Sequence, residues 1–123
     1  RALEIVGCYD LKDKPPHHLS GGQKRAVAIA SVIAMEPDIL AMDEPSSNLD
    51  PKSRRSLINL LKSFSHTKII ASHDLDMILD VCERCIVNKD GIVVADGPSE
   101  IVLSDQKLLE ENNLELPLTL QRR

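Results

Sequence analysis

The sequence predicts an α/β fold with a parallel core, and three observations carry that prediction. Two short apolar runs suited to strands, residues 39–42 and 68–71, are each followed by a helix-forming segment. An apolar helix pattern opens at Ser20-Gly21-Gly22 and precedes the first run. Near the end, residues 84–87 and 92–95 flank Asn88-Lys89-Asp90-Gly91, a strong hairpin signal.

The elements follow in order. Residues 1–6 read as a short helix ended by Gly7, and residues 10–19, with Pro15-Pro16, as a polar connector. Ser20 is a good N-cap for a helix over 21–35, stopped by Pro37. Its apolar residues go nearly all round, so the helix is expected to be buried. The run 39–42 suits a strand buried on both faces. Asp50 as N-cap and Pro51 at the first helical position start the next helix, with Leu57, Leu60, Leu61 and Phe64 on one face. Residues 74–82 form a helix with Leu75, Ile78, Leu79 and Cys82 on one side. Gly97-Pro98 turns into a helix near 99–103, and a leucine-rich tail broken by Pro117 closes the chain. Residues 1–104 are read as one domain and 105–123 as that tail.

Composition excludes several classes. The chain has 123 residues, 42% hydrophobic and 28% charged, as in ordinary globular proteins. Its longest apolar stretch, 27–35, is far short of the roughly 20 residues that span a bilayer. It opens on Arg1 without Met or an apolar leader, so a cut end is expected there. A net charge of −4 argues against a nucleic-acid partner, and Tyr9 and Phe64, the only aromatics, form no base-stacking platform. Cys82 and Cys85 lack the second pair that a structural zinc requires, so with Cys8 they read as reduced thiols.

Chemistry concentrates at four places. A helix start presents unpaired N–H groups and the positive end of its dipole, which suits a phosphate. Gly21 and Gly22 remove side chains there, Ser20 adds a hydroxyl, and Gln23 can reach a nucleotide. Read alone, this is also an ordinary capped helix. Asp43-Glu44 follows four apolar residues; strand alternation sends the two carboxylates different ways, one toward magnesium and one toward an attacking water. An acidic turn after a strand is the plainer reading. His73 follows the second strand and can donate to a phosphate oxygen, although a lone histidine is more often structural. Asp50 alone is a helix cap. His17, His18 and His66 receive no role.

In this fixed order the motifs resemble the C-terminal half of an ABC-type ATP-binding subunit, a P-loop NTPase-like domain. Leu19-Ser20-Gly21-Gly22-Gln23 is similar to the signature motif and Ile39-Leu40-Ala41-Met42-Asp43-Glu44 to Walker B. Residues 46–50 resemble the D-loop, with Ser46 and Asn48 departing from the commoner Thr and Ala or Gly, and His73 resembles the switch histidine. Pro15 to Lys24 and the tail after Ser104 resemble the cobalt/nickel and energy-coupling-factor importer group. The resemblance implies ATP and Mg2+ as cofactors, a head-to-tail second ATP-binding subunit, integral membrane partners, and a place on the cytoplasmic face of the membrane. It implies that Asp43 supports the metal, Glu44 orients water and His73 contacts the γ-phosphate. Ser20, Gly21, Gly22 and Gln23 would touch the partner's ATP, and Asp50 would link the two sites.

No Gly-x-x-x-x-Gly-Lys-Ser/Thr phosphate loop occurs in the 123 residues, so this chain alone is expected to be inactive. Two other classes compete. The C-lobe of a DNA-repair or chromosome-maintenance ATPase head shares these motifs, but the chain has no heptad run and is acidic. A non-catalytic interaction fragment is the other.

Overall fold

The computed structural model describes residues 21–121. The expected helix over 1–6, the connector and the Ser20 cap lie outside the described residues. The chain divides into two compact units, one ending at Ala71 and the other starting at Ser72.

In the first unit, helix α1 (Gly21–Ala34) is followed by strand β1 (Ile39–Asp43), helix α2 (Pro51–Ser63) and strand β2 (Thr67–Ala71). Glu36 closes α1 in the left-handed region at φ 53, donating its amide to Ile33 O at 2.9 Å, and Pro37 prevents continuation. β1 and β2 pair in parallel from Ile39↔Thr67 to Asp43↔Ala71, as the alternation of elements predicts. Asp50 caps α2 by accepting from Ser53 N at 3.3 Å, with Pro51 at the first helical position. At the other end, Lys68 Nζ donates to Phe64 O at 2.8 Å, placing a cation where the helix dipole favours one.

The core of this unit forms between α1 and α2. Ala26, Ile29, Ala30 and Ile33, at helical spacing, pack with Leu60. The predicted face of α2 is buried, and Ile58 joins it at 1% exposure. Each such side chain contributes about 1.5–3 kcal/mol by leaving water.

Two expectations are corrected here. α1 is not buried all round: Ala30 is fully buried, whereas Val32 is 37% exposed and Ala28 and Ala34 face solvent. β1 is not buried on both faces, since Leu40 is buried but Ile39 is 60% exposed. The cause is shared: an apolar stripe is buried only where a neighbour covers it. Among the described residues the sheet has only two strands.

The second unit holds helix α3 (Leu75–Val81), the antiparallel strands β3 (Arg84–Lys89) and β4 (Ile92–Pro98), helices α4 (Ser99–Val102) and α5 (Gln106–Glu111), and a 3-10 turn, Leu118–Leu120. Asp74 caps α3, accepting from Met77 N at 3.2 Å. Met77, outside the predicted apolar stripe, is fully buried. The hairpin turn is Asp90-Gly91, both at positive φ (53 and 77), the two-residue geometry that matches strand twist. Asn88 and Lys89 therefore belong to β3, with a bulge at Val87/Asn88. Gly97 and Pro98 extend β4 rather than forming the predicted turn. The tail is structured. Leu109 is fully buried, and Asp76 accepts from Leu118 N and Thr119 N at 3.0 Å each and from Thr119 Oγ1 at 2.8 Å.

Candidate functional site

β1 delivers Asp43 to its end, paired with Ala71 and exposed. The chain then leaves the strand abruptly. Glu44 adopts φ 47, in the left-handed region, which costs a non-glycine residue about 1–3 kcal/mol and persists only where the surroundings impose it. Here they do. The Glu44 amide donates to Ala71 O at 2.7 Å, while its carbonyl accepts from Ser47 N at 3.3 Å and Ser47 Oγ at 3.0 Å. Strand alternation is thus not what separates the two carboxylates. The strand ends at Asp43, and a pinned turn carries Glu44, which is half-buried. Pro45 and Ser46 behind it are buried.

Sequence reasoning missed Arg25. Its Nη1 donates to Pro45 O at 3.0 Å and to Ser47 O, so α1, near its N-terminal end, grips the turn after Glu44. The available signal was a cation placed directly before the apolar run of the helix.

Gly22 makes a second contact between the same regions. A Cβ at Gly22 would lie 2.6 Å from Ser53 Oγ and 3.0 Å from Ser53 Cβ. Asp50 Oδ1 is 3.7 Å from the same point. This glycine therefore lets α1 approach the start of α2, in addition to the bareness expected at a phosphate site. The Asp50 carboxyl is held below its usual range, chiefly by the Ser53 hydroxyl, against some desolvation.

The structure thus joins Gly22, Asp50 and the Glu44 turn through Arg25 and Ser53. Gly21 begins α1, and Gln23 is half-buried beside it. Ser20 lies outside the described residues. His73 belongs to the second unit, where it is exposed next to Ser72, whose Oγ accepts from Asp74 N at 2.9 Å. Cys85 is buried, and burial, with Cys82 adding to it, pushes its thiol pKa up, which makes it unreactive.

A protein-family profile described as "AAA domain, putative AbiEii toxin, Type IV TA system" matches residues 10–80. The "Putative ABC transporter ATP-binding protein" of Geobacter sulfurreducens is 54% identical over 98% of this chain and 48% of its own length. The chain belongs to the ABC ATPase family. The energy-coupling factor transporter ATP-binding protein EcfA of Carboxydothermus hydrogenoformans is 44% identical over 98% of the chain and 45% of its own length. Among solved structures, cbiO1 from Clostridium perfringens, part of the ABC transporter complex cbiONQ, superposes with TM-score 0.75. It is 40% identical over 98% of this chain and 49% of cbiO1. A dimeric ATP-binding cassette in a post-hydrolysis state, bound to ADP and Pi, matches with TM-score 0.69 at 31% identity. That match covers 80% of this chain and 44% of the other. This ABC ATPase chain spans about half the length of the curated relatives it matches.

Proposed function

We propose that the whole protein is the ATP-hydrolysing subunit of an ABC importer of the cobalt/nickel or energy-coupling-factor kind. It would work at the cytoplasmic face of the membrane as a head-to-tail pair of ATP-binding subunits beneath integral membrane partners. The cbiONQ and energy-coupling-factor relatives support the subfamily, and the dimeric cassette supports the pairing. The observation that carries the chemistry is the strand end where Asp43 pairs with Ala71 and Glu44 is pinned at both its amide and its carbonyl.

A magnesium ion suits this place, because Asp43 offers oxygen ligands at an exposed strand end and magnesium keeps most of its waters. When bound with ATP, the metal supplies charge neutralisation along the phosphates. Asp43 holds it. Glu44 orients the attacking water and accepts its proton, and His73 donates to a γ-phosphate oxygen. Ser20, Gly21, Gly22 and Gln23 present the start of α1 to ATP held by the second subunit. Asp50, at the start of α2 beside Gly22, links the two sites. These 123 residues by themselves are inactive, for they contain no phosphate loop to cradle the nucleotide.

The test has two arms. In the complete protein, Glu44→Gln is expected to lower turnover by about 10²-fold or more while ATP still binds, the scale of a lost general base. Turnover near wild type removes Glu44 from its role. The purified 123-residue chain is expected to release no phosphate from Mg-ATP, and measurable hydrolysis overturns the claim of inactivity.

A further inference from the structure

We infer that Arg25 is a positioning residue that ties the start of α1, the segment offered to the partner's nucleotide, to Glu44, the base of the chain's own site. The inference rests on the reading of Glu44 given above and assigns that site a means of regulation.

The argument is a chain of hydrogen bonds. Arg25 Nη1 donates to the carbonyls of both Pro45 and Ser47. Ser47 in turn donates its amide and its hydroxyl to the Glu44 carbonyl. The Glu44 amide is tied to Ala71 at the end of β2. Glu44 thus has one backbone group fixed by the sheet and the other fixed by a turn that the α1 guanidinium holds.

The left-handed conformation of Glu44 makes this arrangement sensitive. A residue in an unfavourable backbone region relaxes when its restraints are loosened, and relaxation moves its side chain. A displacement of α1 along its axis carries Arg25 with it. The pull acts on the carbonyls on either side of Ser46, and through Ser47 on Glu44. Occupation of the glycine-bearing helix start by a partner's nucleotide is therefore transmitted to the water-orienting carboxylate through one side chain. An arginine suits the task because it carries several donors on one rigid plane.

A simple staple between α1 and the turn would look the same in a static structure, so the test separates them kinetically. In the complete protein with its partner subunits, Mg-ATP turnover is measured for Arg25→Ala and Arg25→Lys. Arg25→Ala is expected to lower kcat by about tenfold or more with KM for ATP changed less than about threefold, the pattern of a group that acts in the transition state only. Arg25→Lys, which restores a cation able to reach at least one carbonyl, is expected to recover part of kcat. A kcat within about twofold of wild type for Arg25→Ala overturns the inference. So does a parallel loss of kcat, ATP affinity and thermal midpoint that Arg25→Lys does not relieve, since that is the behaviour of a staple. If Arg25→Ala does not fold, Arg25→Gln carries the same comparison. Glu44→Gln is assayed alongside. If it turns over normally, the reading of Glu44 fails whatever Arg25 does. If it is inactive while Arg25→Ala is active, only the coupling fails.

Discussion

Gly22 and Ser53 approach so closely that any side chain on the glycine would collide, since an added Cβ would sit 2.6 Å from Ser53 Oγ. The contact lies where α1 meets the start of α2. Gly22→Ala is expected to destabilise the protein by about 1–3 kcal/mol, the usual penalty for overpacking. Urea denaturation measures it, and Ser53→Gly in the same chain should return part of the loss as a coupling between the two sites. Equal midpoints for Gly22→Ala and wild type would mean that the helices part freely.

Asn48 lies in the segment between Glu44 and α2, and its backbone decides which residues are allowed there. Its φ is 60, in the left-handed region. Asparagine tolerates that region better than most residues, glycine better still, and β-branched residues worst. Asn48→Gly is expected to be close to neutral. Asn48→Val is expected to cost about 1–2 kcal/mol. Denaturation midpoints of the two variants decide it, and a valine as stable as the glycine would contradict the assigned backbone.

Asp76 holds the C-terminal turn with its carboxylate. Burial pushes its pKa up, but the Thr119 amide and hydroxyl and the Leu118 amide pull harder, and the carboxyl lies below its usual range despite the nearby Asp74. A depressed carboxyl contributes stability above its unfolded value, near 4, and loses that contribution as pH falls through the folded value. The turn is therefore held at neutral pH and released in acid. Amide NMR shifts of Leu118 and Thr119 should titrate with a midpoint below that of an ordinary aspartate, and Asp76→Ala should abolish the transition. A midpoint at or above the ordinary value would remove the latch.

The two-stranded parallel sheet exposes Ile39 and Ile69 at 60% and 59%. Neither of its outer edges is paired among the described residues. Unpaired edges with apolar side chains recruit further strands. The purified 123-residue chain is expected to self-associate at micromolar concentration, as read by light scattering, and a strict monomer would count against this.

How much of this was legible beforehand differs by kind of signal. Local chemistry read well. Asp50-Pro51 marks a helix start and the segment from Asn88 to Gly91 a hairpin, because each cap or turn is settled within a few residues, although only Asp90-Gly91 forms the turn itself. The α2 stripe was also readable, since four large apolar residues repeat at helical spacing. Met77 and Ile58 were not, because both lie beside the expected stripe and are buried by neighbours that periodicity cannot see. The tail read as a leucine-rich segment broken by Pro117, and nothing in it pointed to its anchor, a carboxylate 42 residues away from Leu118.

The candidate site divides the same way. Sequence alone placed Asp43 and Glu44 at a strand end, the glycines at a helix start, and Asp50 at the next one, since these depend on near neighbours. Only the tertiary structure decided that Glu44 is bent into the left-handed region and that Gly22 is needed for packing against Ser53. It alone found Arg25 gripping the turn across 20 residues of chain. The reason is physical: capping and strand ends follow from bonds within a few residues, while a guanidinium's partners are whichever carbonyls the packed helices bring within hydrogen-bond reach.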